Sequence, residues 1–231
     1  MLTSTQKTFN SKIWATQGFS LIEILVALLL AALMFLAIPS GDSTQRHREL
    51  KTAVDNLDRA VRFAQNEAIL RNAIVRLKLD LEKTPVNYVV EYGPSGNIPV
   101  PETPDVSKMS VAERKIWGEQ QKKFSAQFTP VEEFEDIKFE LSEEVMVLGV
   151  GVGDQKGLIQ EGVATIYFYP TGEKDAALFF FGTIEEFAYL EVSPFLNKTK
   201  NYFEPLNTES VSRIEDILQT RMTTIYREWR L

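Results

Sequence analysis

The residues whose types and spacing point most directly to chemistry are Gln17-Gly18-Phe19-Ser20-Leu21-Ile22-Glu23, at the head of an apolar run that ends at Ile38. Glu23 is the only charge from Phe19 to Ile38, and Ser20 is the only other polar residue there. A carboxylate in lipid costs about 2.5–3.5 kcal/mol at a helix centre and less near an interface, and such a residue usually has a function. Glu23 lies four residues after Phe19, roughly 6 Å along a helix, so its cost is partial. Elsewhere the candidates are weaker. His47 is the sole histidine, so there is no histidine cluster, and its setting among Arg46, Arg48 and Glu49 reads as a solvated helix surface and not as part of a Ser-His-Asp arrangement. Glu185 and Glu186 adjoin apolar Ile184 and Phe187 and read as a turn or strand edge; no second acid is placed to make a glycosidase pair. Gly149-Val150-Gly151-Val152-Gly153 completes neither a GxGxxG nor a Walker pattern and reads as strand-edge glycines or a bulge. Asp154 in the turn after it supplies one carboxylate, too few for calcium.

The element that must position Glu23 is the apolar run itself. About twenty apolar residues span a bilayer as a helix. A secretory signal has a shorter apolar region and a small-residue cleavage site, whereas this run ends at Ala-Ile-Pro39. A plain anchor leaves Glu23 unexplained, so a processed anchor is the third reading. Lys7 and Lys12 precede the run without any acid, which keeps the N-terminus cytoplasmic, although Arg46, Arg48 and Lys51 beyond the outer end weaken the charge argument.

Gly-Phe-Ser-Leu-Ile-Glu leading into an apolar helix resembles the class III signal of type IV prepilins and pseudopilins. The resemblance implies that a prepilin peptidase cuts between Gly18 and Phe19 and methylates the new N-terminal Phe19. Residues 1–18 are then a leader and 19–38 a transmembrane helix. Glu23 matches the family's glutamate, which neutralises the terminal ammonium of a neighbouring subunit in the filament. Two charges 4 Å apart interact by about 4 kcal/mol at an effective dielectric near 20, comparable with the cost of burying the acid.

The chain has 231 residues, and loss of the leader leaves 213, enough for one membrane helix and one moderate soluble domain. The leader takes two lysines and no acid with it, moving the net charge from −7 to −9. An acidic body argues against general nucleic-acid binding. With no cysteine, the domain relies on its core rather than on disulfides and has no thiol nucleophile or thiolate metal site.

After Pro39, Leu50, Val54, Leu57, Val61, Ala64 and Ala68 step by four and three and describe one helix stripe. The opposite face carries Lys51, Asp55, Asp58, Arg59, Arg62 and Gln65. The spacing predicts that the N-terminal helix continues, with a kink at Pro39, through 42–73, with Asp42 or Ser43 as a cap on the restart. Leu57 to Asn72 resembles the H-type minor pseudopilins of type II secretion, the GspH/FimT family, whose first helix ends in a similar Ala-x-x-Glu-Ala-Ile-x-Arg-Asn run. Phe168-Tyr169-Pro170-Thr171-Gly172 is similar to the same family's Phe-x-Pro-x-Gly hairpin.

The period then becomes two. Val75, Leu77, Leu79 and Leu81 alternate with Arg76, Lys78, Asp80 and Glu82, and 87–92 returns as a hairpin partner. Residues 93–130 read as an insertion: a loop rich in proline and glycine to Lys108, then a short surface helix over 110–125. It is either variable, mobile surface or a partner site anchored by Trp117 and Phe124. Further strands are expected at 137–141, 145–152, 163–169, 177–181 and 188–192, with one more over 194–205. Residues 208–231 form an amphipathic helix not expected from the family, with packing on the sheet as the default and docking on another subunit or membrane as alternatives.

The expected fold is α+β: a long N-terminal transmembrane helix packed on an antiparallel, β-sandwich-like domain over 74–207, pilin-like, with an extra C-terminal helix. By resemblance the protein is a structural minor pseudopilin of a type II secretion pseudopilus, without catalysis, cofactor or metal. It would stand in the bacterial inner membrane with its C-terminal domain in the periplasm. Its partners would be other pseudopilins or pilins, the prepilin peptidase, the inner-membrane assembly platform and membrane lipid. A minor pilin of a type IV pilus is the alternative in the same class. A membrane-anchored periplasmic hydrolase is the rival from another class, and no acid–base set supports it.

Overall fold

A computed structural model describes residues 21–37, 42–96, 100, 109–131, 141–153, 155, 157–206 and 213–230. The chain divides into two compact units, Met1–Gly41 and Asp42–Leu231.

In the first unit the described element is helix α1, Leu21–Ala37. Its leucines and alanines are strong helix formers, and neither glycine nor proline interrupts them. Its 17 residues rise about 25 Å. Among the described residues no helix is long and apolar enough to cross a membrane. The expected span 19–38 is therefore not reproduced: it needs Phe19, Ser20 and Ile38, which lie outside the described residues, as do Pro39 and its expected kink.

The second unit opens with α2, Asp42–Arg71. Leu50, Val54, Leu57, Val61, Ala64 and Ala68 are all buried, as their spacing predicts. Asp58 and Gln65, expected on the solvent face, are buried as well. They lie on the flank of the stripe, where distant segments reach them. Asn72 ends the helix with φ 48°, the left-handed conformation that asparagine tolerates at a helix C-terminus.

Two antiparallel sheets follow. Strands β1 (Ala73–Asp80) and β2 (Asn87–Ser95) form the expected hairpin, with a register shift between Ala73 and Val75. The strand runs on through Gly93 and Pro94, where a loop was expected. Helix α3 (Val111–Ser125) starts with a capping box between Ser110 and Glu113 and is followed by β3 (Thr129–Pro130). Then come β4 (Met146–Val152), β5 (Leu158–Ile159), β6 (Val163–Phe168), β7 (Ala177–Gly182), β8 (Glu186–Val192), β9 (Lys200–Pro205) and helix α4 (Ile214–Trp229). The first sheet has the order β3-β2-β1-β6 and the second β5-β4-β7-β8-β9. The strand expected at 137–141 falls mostly outside the described residues.

The sheets share one core through α2, which lies against β1, β2 and β6 of the first and β7 and β8 of the second. Side chains of both sheets, Leu77 and Ile166 of the first and Phe179 and Leu190 of the second among them, meet those of α2 in that core. The turn after β6 closes a short local hairpin but does not pair β6 with β7, which belong to different sheets. Phe168 bridges Lys174, and the Asp175 N–H donates to the Tyr167 carbonyl at 2.9 Å, before the chain crosses to the second sheet.

Two close approaches explain glycines that sequence patterning leaves open. A Cβ on Gly93 would meet the Phe128 ring at 2.3 Å, and one on Gly151 would meet the Tyr226 ring at 2.7 Å. The first lets the α3 segment close over β1 and β2, where Phe124, Phe128 and Ile74 form a cluster of their own. Phe124 is thus core and not a free anchor, and the insertion is docked at Phe124 and Phe128. Arg76, expected to face solvent, is buried beneath it, bonded to Glu91 at 2.5 Å and stacked over Phe128. The second glycine belongs to the bed of α4, whose Ile214, Leu218 and Met222 bury against Leu178, Phe180 and Phe187. Each such side chain contributes about 1.5–3 kcal/mol. Packing of the C-terminal helix on the sheet is borne out.

Candidate functional site

Glu23 sits in the first turn of α1. A carboxylate there faces the positive end of the helix dipole, worth about 0.3–1 kcal/mol at an exposed position. Around it Leu21, Ile22, Ile24, Leu25, Val26, Leu28, Leu29 and Leu30 are all at least half exposed. At 100° per residue these positions cover about two thirds of the circumference, and exposed Ala27 and Ala31 share the remaining sector with Glu23. A helix apolar all round is one that other helices or lipid must cover. Within such a cover an acid at the N-terminal turn can do one thing well, which is to hold a cation at its own depth. Gly18 and Phe19, the expected cleavage position, lie outside the described residues.

Glu185 accepts from the Arg46 guanidinium at 2.5 Å, and the Glu186 carboxylate meets His47 Nδ1 at 2.8 Å. Both acids follow Thr183, whose hydroxyl receives both of their backbone N–H groups and fixes the turn. Each carboxylate therefore ties the β7–β8 turn to the first turns of α2. His47 is half exposed but not merely solvated: it lies between Glu186 and the edge of the Phe203 ring. Neither acid faces the other across a cleft as an acid–base pair would.

A cleft of about 330 Å³ opens beside α2, lined by Gln45, Arg48, Glu49, Thr52, Asn56 and Tyr88 among others. Its one carboxylate, Glu49, accepts from the Ser142 hydroxyl at 2.6 Å and from Gln45 at 3.0 Å. Those bonds hold the carboxyl below its ordinary value, with Ser142 the larger cause, so the group stays ionised and engaged. Burial pushes the Tyr88 hydroxyl far up from its ordinary value, which keeps it protonated. Among the described residues no group of His, Asp or Glu is placed to hold a metal ion. The glycine run at 149–153 lies under α4 rather than around a phosphate: the Tyr226 hydroxyl accepts from the Gly157 N–H at 3.1 Å, and Arg230 donates to the Gly153 carbonyl at 2.6 Å. Asp154 lies outside the described residues.

Sequence reasoning missed the buried polar network between α2 and the crossover. Lys174 Nζ donates to Gln65 Oε1 at 3.0 Å and to the Leu196 carbonyl at 2.7 Å. Gln65 Nε2 donates to the Gly172 carbonyl at 2.9 Å and to Asn197 at 3.3 Å. Asp58 accepts from Thr199 and Arg62. Apart from Arg62, one helical turn from Asp58, the partners lie more than a hundred residues beyond α2, so no local pattern signals the network.

Residues 15–39 match the prokaryotic N-terminal methylation motif. The matched stretch contains Gly18, Phe19 and Glu23 and the whole of α1. No curated protein and no solved structure matches the chain. The motif supports a type IV pilin-like N-terminal segment, and processing by prepilin peptidase and membrane anchoring are what such a motif implies.

Proposed function

We propose that the protein is a structural subunit of a type II secretion pseudopilus, an H-type minor pseudopilin without catalysis of its own. Prepilin peptidase cuts between Gly18 and Phe19 and Phe19 becomes N-methylated. The apolar helix anchors the precursor in the inner membrane, and Glu23 then receives the terminal ammonium of an adjacent subunit as helices bundle. The observation that carries this reading is the methylation motif at 15–39 lying on a helix that exposes apolar residues on every side. The H-type assignment has narrower support, the Ala64–Asn72 text at the end of α2 and the Phe168–Gly172 step.

Mass spectrometry of the mature protein tests the processing step. The expected first residue is methylated Phe19; a chain beginning at Met1 or after Ser40 would sink the assignment. Glu23→Ala is expected to leave cleavage and membrane insertion intact and to impair recovery in filaments. Normal incorporation of that variant would remove the charge-pairing role.

A further inference from the structure

The edges of the two sheets are not alike. β3 and β5 are two residues long. The outer side of β6 is closed near its end by Asp175, whose carboxylate accepts from the Tyr167 N–H and whose own N–H donates to the Tyr167 carbonyl. β9 is six residues long and stands at the end of the second sheet.

Its open groups can be assigned. The Leu206 N–H donates to the Glu185 carbonyl at 2.8 Å, in register with the β8–β9 pair. Bonded and non-bonded positions alternate along an antiparallel pair. Glu204, Tyr202 and Lys200 therefore bond to β8. Asn201 and Phe203 turn their N–H and C=O outward, where no described residue pairs with them. Pro205, which has no N–H, occupies the next outward position and ends the row.

We propose that this edge is a docking surface for a second copy of the same chain, two β9 strands pairing antiparallel about Tyr202. In that register Asn201 lies opposite Phe203 of the second copy and exchanges hydrogen bonds with it, twice over. Lys200 lies opposite Glu204 of the second copy, and Glu204 opposite its Lys200, so unlike charges meet at both ends. Within one chain Lys200 already pairs with Glu191 at 3.5 Å and Glu204 with Arg221 at 2.8 Å. The joint thus completes a row of alternating charge, Arg221, Glu204, Lys200, Glu191, across the two copies. Tyr202 stacks on Tyr189 at 4.4 Å and 15° and still leaves 40% of its surface bare. In the pair it meets Tyr202 of the second copy, and directly opposed side chains of this kind interact. Lysine and proline also shield a strand edge from indiscriminate pairing. Here the same two residues leave one register in which charge, ring and hydrogen bonds all match. The inference is independent of the filament reading.

The chain has no cysteine, so one introduced thiol is unique. Opposed residues at a non-bonded position have Cα atoms about 4.5 Å apart, inside the range of about 4.4–6.8 Å for a disulfide. Full-length Tyr202→Cys, purified in detergent and mildly oxidised, is expected to run largely as a disulfide dimer on a non-reducing gel. Lys200→Cys alone and Glu204→Cys alone are expected to stay monomeric, because like positions lie about 14 Å apart at roughly 3.4 Å per residue. Mixing those two variants is expected to give dimer, which keeps the test decisive even if Tyr202→Cys does not fold. Lys200→Glu is expected to weaken unoxidised pairing several-fold, and adding Glu204→Lys to restore it. Monomer throughout, or equal crosslinking of all three single variants, would overturn the proposal. So would crosslinking of Tyr202→Cys in native membranes to a different polypeptide instead of its own copy.

Discussion

The carboxylate of Glu67 shows how one hydroxyl sets the acid limit of a helix end. Tyr92 donates to it at 2.6 Å and Arg71 at 2.7 Å, while the Arg71 guanidinium lies 4.0 Å over the Tyr92 ring. The Tyr92 bond is the largest cause holding the carboxyl below its ordinary value. A depressed carboxylate adds stability above its unfolded pKa, about 4.3, and loses it as pH falls through the folded value. Tyr92→Phe is expected to cost about 1 kcal/mol at neutral pH, with the gap from the parent closing on acidification. Denaturant titrations at pH 7 and pH 3.5 check it; a gap that widens in acid would contradict the role. Lys174 obeys the opposite logic. Burial alone pulls its ammonium below the usual lysine range, and its hydrogen bonds go to Gln65 and the Leu196 carbonyl. Gln65→Leu is expected to cost about 1–3 kcal/mol, since a buried donor loses its acceptor; a neutral result in thermal unfolding would show that water takes its place. Asp58 and Gln65 were illegible in the sequence for a definite reason. Periodicity places them beside the apolar stripe, and only Thr199, Lys174 and Asn197, far along the chain, decide that this flank is covered.

At the scale of elements the glycines of β4 matter because of what lies on them. Gly151→Ala is expected to push Tyr226 off its seat and to break the bond between its hydroxyl and Gly157. Leu218→Ala is expected to cost about 2–5 kcal/mol through the cavity it leaves. Both should raise hydrogen exchange along α4 while leaving β1 and β2 protected; uniform loss of protection would mean that α4 is not a separate layer. Most elements were legible. The three-and-four stepping of α2, the alternation in β1 and the amphipathic tail each state their own type, and Ser110 and Glu113 mark the start of α3. The exposure of Arg76 was misread because alternation shows which residues share a face and not what covers it. Phe124 and Phe128, some fifty residues on, cover that face. The β6–β7 step was misread for a related reason: a turn motif fixes local geometry, and sheet membership follows from strands elsewhere.

Over the whole molecule, residues 42–231 depend on one core that α2 holds in common with both sheets, and on a second layer under α4 that shares strands β7 and β8. Leu57→Ala is therefore expected to lower a single transition, with circular dichroism and fluorescence coinciding; two separated midpoints would show that the sheets are independent. Class and the methylation motif were legible because both are local, a period or a short text, whereas the division of the nine described strands into two sheets is not. The place of α4 also sets an order of events. Synthesis from the N-terminus delivers Ile214–Trp229 only after the described strands of both sheets. Until then Phe180 and Phe187 stand bare on the second sheet. The newborn domain is thus sticky until α4 has emerged, which is when a holding chaperone has most to protect, and loss of α4 would leave it so for good.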